Sequence, residues 1–355
     1  MLEAIPTERV ALIRAKKSGE WQCLKFTVEP DAPHTIEMLR LGRAEAPSDT
    51  KAAEPLPPLD DAARRNVIDQ LVHELHRNYV FPDKAQAIER ELRASQGRQD
   101  YDKLQGRLAF GRAINQVMRR LSNDRHLRID VSCSSSPESP RPAGAPKRQS
   151  IIGETRRLDG NIAYVEIPTF GDQLQPMTDE IRDAMSAAAD ASAIIFDVRK
   201  NGGGHEQNSQ LLTSYLFGDA PVHLGSIYRR PTNQTEELFT NPRVPGTKLG
   251  PEKPVYIVTS RFTFSAPEGF AYSLQALKRA VIVGEVTGGG ANPGDVVFLP
   301  HGFSAFIPNG RSINPITKTN WDGVGVKPDV EVSADEALAT AHKLARARVA
   351  SGGGR

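Results

Sequence analysis

Cysteine is scarce in this chain. Its two cysteines among 355 residues, Cys23 and Cys133, lie far apart and match no metal or redox spacing. They read as incidental thiols, so disulfides are not expected to hold the fold and no metal site is implied. Net charge is equally sparse: 45 Lys and Arg stand against 43 Asp and Glu, a formal +2. That balance excludes the basic footprint of a nucleic-acid or membrane-surface binder. No apolar run approaches the roughly 20 residues of a membrane span. The first twenty residues carry Glu3, Glu8, Arg9, Arg14, Lys16, Lys17 and Glu20, with no apolar run longer than Val10 to Ile13. As written, the chain is therefore expected to lack a secretory leader and to be cytoplasmic. What remains is ordinary. A 39% hydrophobic and 25% charged chain of this length has room for one large α/β domain, or a catalytic domain with a smaller appendage.

Along the chain, Leu24, Phe26 and Val28 alternate with polar residues, and Ile36 to Leu41 gives a second apolar run. A small β segment is expected over 1–50, with a turn at Pro30 to Pro33. The polar, proline-rich stretch 46–58 reads as a linker. From Asp60 the period becomes helical: Val67, Ile68, Leu71, Val72 and Leu75 share a face of a helix capped by Asp60 or Asp61. Helices over about 83–95 and 104–121 complete a helical subdomain, 59–132, which ends in a polar turn, SNDRHLRIDV, residues 122–131. A Pro/Ser-rich linker occupies 133–149. Beyond it, 150–350 reads as an α/β catalytic domain. Strands at 161–167, 193–198, 254–260 and 280–285 alternate with helices at 177–185, 209–217 and 265–277. That order implies parallel strands with crossover helices. Short strands at 303–308 and 328–332 precede a final helix.

Three strings sit at strand ends. In VTSRFTFSAPEGF, residues 258–270, a buried strand ends and Ser265 opens an amphipathic helix. A helix start presents unpaired N–H groups and partial positive charge. A nucleophile there is exposed, and the next amide is placed to bond the oxyanion made by its attack. The competing reading is an ordinary N-cap serine. In DVRKNGGGHEQN, residues 197–208, three glycines follow a strand and let the backbone approach a ligand. The competing reading is a glycine-rich turn; no Gly-Lys-Ser/Thr follows to make a phosphate loop. The third string is DRHL, around His126. A serine hydroxyl needs a base at neutral pH, and imidazole is the usual one. On position alone, His205 and His301 compete with His126.

Together these strings resemble the tail-specific (C-terminal processing) protease family, in the branch with the tricorn protease and the retinoid-binding modules. The resemblance spans about 60–335 and rests on four ordered matches: D-x-H-L at Asp124 to Leu127, DVRKNGGG at 197–204, TSRFTFSAPEGFAYSLQALKRAVIVGE followed by TGGGANP, and NWDGVGVKPDVEV at 320–332. It implies an α/β fold with a crotonase/ClpP-like spiral core and an N-terminal helical subdomain packed over the active site. It also implies Ser265 as nucleophile, His126 as general base, and Asp322 where the family has a glutamate that orients the histidine. Backbone amides near Gly203 and of Ala266 would form the oxyanion hole. No cofactor or metal is implied, and the partner is a peptide or protein substrate.

The sequence also departs from the family. The serine-lysine branch carries its lysine where this chain has Gly290, which favours the histidine branch. No PDZ domain fits between Cys133 and Ile151. Arg125 replaces a glycine common before the histidine, and Asp322 is one methylene shorter than the glutamate. Two other classes stay open: a non-catalytic module binding a hydrophobic ligand, and a crotonase-like enzyme acting on thioesters. The first has no use for both Ser265 and His126. The second explains the glycine loop but not the serine string.

Overall fold

The computed structural model describes residues 8–14, 21–28, 36–43, 59–104, 106–131, 150–171 and 177–352. Strands β1 (Glu8–Arg14), β2 (Trp21–Val28) and β3 (Ile36–Arg43) pair antiparallel in that order. The expected runs at 24–28 and 36–41 fall in β2 and β3; β1 was not foreseen. The expected turn at 30–33 and the linkers 46–58 and 133–149 lie outside the described residues.

Helix α1 (Asp61–Asn78) begins where Asp60 accepts the Ala63 amide at 2.7 Å. Its apolar face is the one the periodicity marked, with Val67, Ile68, Leu71 and Leu75 fully buried. Pro82 opens α2 (Pro82–Gly97), where the missing N–H costs nothing, and α3 (Gly106–Ser122) follows. A single polar turn leads to β4 (Arg128–Val131). This block does not close its core alone. Leu299, Phe303, Ala305 and Ile307, far along the chain, pack among its buried residues.

The second body is a six-stranded sheet. Its strands are β5 (Thr155–Leu158), β6 (Ile162–Glu166), β7 (Ala193–Asp197), β10 (Val255–Thr259), β11 (Val281–Gly284) and β15 (Val330–Glu331). Their spatial order is β15-β11-β10-β7-β6-β5, parallel except for the antiparallel edge strand β5. Every residue of β7 and β10 is buried, as expected for strands covered on both faces. Helices α4 (Thr178–Ala187), α5 (Glu206–Ser214) and α6 (Ala266–Ala276) supply one layer: Met185, Leu212, Phe270 and Leu274 pack with Ile194, Phe196, Ile257 and Ile282. On the other face, Ala337, Ala341 and Ala345 of α7 (Ala334–Gly352) pack on Ile195, Tyr256, Val258 and Val283.

Two smaller sheets were not read from the sequence as sheets, although the strand expected at 303–308 is a member of one of them. One is β14-β8-β9, with β8 (His223–Arg229), β9 (Gln234–Phe239) and β14 (Gly310–Ile313). The other is β12-β13-β4, where β12 (Gly294–Leu299) and β13 (Phe303–Pro308) join the strand that leaves the helical block. Through it, the chain after Gly290 is bound to the chain after His126. The α/β class is as expected, with a mixed sheet. Among the described residues no helix is long and apolar enough to cross a membrane.

Candidate active site

Because β7 and β10 are adjacent and parallel, their C-terminal ends emerge side by side, where such sheets place their sites. Side chains bind the two following loops together. Thr263 Oγ1 donates to the Val198 carbonyl at 2.9 Å, Ser260 Oγ to Arg199 at 2.6 Å, and the Phe264 amide to Asn201 at 3.1 Å. Asp197 anchors the first loop through Arg199, 2.6 Å away, and Tyr164 Oη, 2.9 Å away. The result is a close approach of Gly203 to Ser265. Gly203 has φ +131°, and a Cβ there would lie 3.3 Å from Ser265 Cβ and 3.7 Å from its Oγ.

Ser265 itself has φ +70° and ψ −120°. An ordinary N-cap is extended; a non-glycine residue held here is strained, on the order of 1–3 kcal/mol, and needs its surroundings to hold it. Glu268 does so. This fully buried carboxylate accepts the Ser265 amide at 2.7 Å, Thr287 Oγ1 at 2.5 Å, and the Gly289 and Gly290 amides at 2.6 and 2.8 Å. Burial raises its pKa against those four bonds, which favour the ionised form. Sequence reasoning gave Glu268 no such part, although S-A-P-E spells a capping box.

His126 lies in the turn after α3. Asp124 Oδ1 accepts the His126 and Leu127 amides at 3.0 and 3.3 Å and so fixes that turn. The imidazole is buried between Phe264, 4.6 Å between centroids, and Phe306, 5.4 Å away and nearly parallel. Burial, then the nearby Arg128 charge, pushes its pKa down to about 4, so at neutral pH it is an uncharged base. Its Nδ1 is buried without a hydrogen-bond partner among the described residues. Gly290 is pressed against both rings; a Cβ there would meet Phe264 and lie 2.8 Å from His126 Cε1. A lysine stem has no room at this position while the imidazole occupies it. Lys278, the lysine nearest after the serine string, lies past the C-cap Leu277 of α6, at the opposite end of that helix from Ser265; the 11 residues of α6 alone span about 16 Å at 1.5 Å per residue. His301 is exposed on the turn between β12 and β13, and His205 precedes α5.

Asp322 is close by but is not on the imidazole. Its Oδ1 accepts the Ala291 amide at 3.2 Å, and no hydrogen bond to His126 is formed. It faces Asp124 instead. Asp124 Oδ2 accepts Tyr79 Oη at 3.2 Å and Asn292 Nδ2 at 3.0 Å. Burial is the main cause raising both carboxyl pKa values, and the Asp124 charge adds to it at Asp322. Asp322 Oδ1 is thus turned to the Ala291 amide and not to the imidazole. Two other acids near these loops are also turned elsewhere: Glu285 accepts the Arg261 amide, and Glu268 is engaged by the Ser265, Gly289 and Gly290 amides and Thr287. The oxyanion amides differ in availability. Gly203 N–H already donates to Asn201 Oδ1 at 2.9 Å, whereas Ala266 opens α6, where no intrahelical acceptor exists. Among the described residues no three His, Cys, Asp or Glu side chains are placed to hold a metal ion.

The sequence model of peptidase family S41 matches residues 161–332 of this chain. That span includes Gly203, Ser265, Ala266 and Asp322 but stops short of His126. A tail-specific protease from Haemophilus influenzae is 28% identical over 132 residues, 36% of this chain and 17% of its own length. The tricorn protease of Thermoplasma volcanium is 28% identical over 195 residues, 52% of this chain and 16% of its own. The chain thus spans less than a fifth of either relative. A candidate peptidase from Parabacteroides merdae, solved by crystallography, matches with a TM-score of 0.58 over 79% of this chain and 96% of that one. At 19% identity that likeness shows the fold alone. The resemblance to tail-specific proteases read from the sequence is shown by these matches.

Proposed function

Because residues 161–332 match peptidase family S41, we propose that this chain is a serine-type peptidase that hydrolyses peptide bonds through Ser265 and His126. One observation carries the reading: Ser265 is held at positive φ beside Gly203, with a neutral, buried imidazole across Phe264. In this mechanism His126 takes the Ser265 proton as Oγ attacks the peptide carbonyl. The Ala266 amide and an amide of the 202–204 loop receive the oxyanion. For Gly203 to serve, its N–H leaves Asn201. The imidazolium then protonates the leaving amine, and water repeats the cycle on the acyl-enzyme. Asp322 completes a triad by turning from Ala291 toward His126 Nδ1, whose lack of a partner marks where an acceptor belongs. The core of the fold is read as the crotonase/ClpP-like spiral that accompanies this chemistry. No observation favours a non-catalytic binding module. The test is cleavage of an unfolded protein such as casein by purified wild type, Ser265→Ala and His126→Ala. Both variants should lose activity alike, because the pair acts as a unit. Full turnover by either would overturn the assignment.

A further inference from the structure

Strand β12, GDVVFL, is the outermost strand of its sheet. Its residues alternate. Val297 and Leu299 pack into the core of the helical block, while Val296 and Phe298 stand on the opposite face, 55% and 68% exposed. On that face the register sets Val296 beside Phe306, and Phe306 beside Arg128. Phe306 is the ring stacked on His126, and His126 in turn packs on Phe264, the residue before Ser265. An apolar row therefore begins at the candidate base and leaves along β12, which itself starts four residues after Gly290. The one cation on the row, Arg128, is held by Asp130 at 3.0 Å and covers Phe306, so the face offers no net charge to a ligand. Beyond β12 no strand pairs with it among the described residues, leaving one row of backbone N–H and C=O groups open. An edge strand bearing alternating apolar side chains is a hazard that folds usually blunt with charge or proline. Here the one charge, Asp295, stands on the face opposite Val296 and Phe298 and accepts Asn309 Nδ2 at 2.6 Å.

Building on the peptidase reading, we propose that β12 and its outer face are the substrate-docking surface. The occupant is an extended peptide with apolar side chains at alternate positions, added as a further strand to the β12 edge. Residues two apart in such a strand are about 7 Å apart on one face, the spacing that sets one apolar side chain on Val296 and Phe306 and the next on Phe298. The strand would thus select for apolar residues to one side of the bond presented to Ser265.

Binding is measured on the full chain carrying Ser265→Ala, by fluorescence anisotropy of two labelled eight-residue peptides. One alternates Leu with Thr; the other has Ser in place of Leu. The leucine peptide should bind at least tenfold more tightly, and Val296→Ser with Phe298→Ser should remove that advantage. Both side chains are exposed, so the core is untouched, and Ile316→Ser, at a similarly exposed apolar residue outside this sheet, should leave it in place. Equal binding of the two peptides, or an advantage indifferent to the double substitution, overturns the proposal. So does sedimentation showing a dimer that the double substitution turns into monomer, since a second copy would then own the face. A chain that shows the β12-dependent advantage, yet whose Ser265 never reacts with a fluorophosphonate, defeats the peptidase reading and leaves the docking surface standing.

Discussion

Lowering the pH tests the site where its electrostatics are most specific. In an unfolded chain His126 would titrate near 6.5; in the fold, burial and Arg128 hold it at about 4. At pH 5 a group of pKa about 4 is roughly nine-tenths neutral, while one of about 6.5 is only about 3% neutral. A base with the folded value therefore keeps about thirty times more of its reactive form. The rate of Ser265 acylation by a small active ester should stay near its plateau down to about pH 5 and fall as the pH passes 4. Stability changes with the same titration. The fold holds the neutral imidazole, so its full contribution is present above about 6.5 and is lost as the pH falls toward 4. The gap is worth on the order of 3 kcal/mol. Urea denaturation of wild type and His126→Gln between pH 4 and 7 should show wild type losing relative stability across that window. Carbon-13 labelling of the imidazole reads the protonation directly. A His126 resonance titrating at or above 6.5, with an acylation limb at the same pH, would refute the reasoning.

Other substitutions probe the supports of the site. Glu268→Gln puts an amide donor against at least one of the N–H groups the carboxylate now accepts. It should cost about 2–4 kcal/mol in urea denaturation and slow acylation as well. Gly290→Ala drives a methyl into Phe264 and His126 and should reduce kcat/KM by about a hundredfold with the fold retained by circular dichroism. Asp322→Asn should lower turnover by up to about 10⁴ if the carboxylate reaches the imidazole during reaction, and Asp322→Glu should restore it. A loss under tenfold would remove Asp322 from the triad.

Much of this was legible because it is written in local pattern. The buried runs at 193–197 and 255–259 are continuous because parallel strands are covered on both faces. The α1 face is fixed by a 3.6-residue period. The glycine and serine strings stand out because both loops follow such runs. The smaller sheets were not legible. All but one residue of β9 are exposed, and β12 and β4 acquire their meaning only from β13 lying between them. The same holds for the site. Asp124 and Asn292 meet across 168 residues, and no spacing rule announces such a bond. Asp322 shows the limit of motif reading: the chain brings it beside Asp124, but its hydrogen bond from the Ala291 amide depends on a loop path that the motif does not contain.

The central claim is that Ser265 is a nucleophile activated by its surroundings. Its most direct test is intact-mass and peptide-mapping spectrometry of the chain after exposure to a fluorophosphonate at pH 7. One phosphonyl group per chain, located on Ser265, abolished by prior denaturation and greatly slowed in His126→Ala, is the expected result. An unmodified chain, or label spread over other serines with Ser265 untouched, would contradict it.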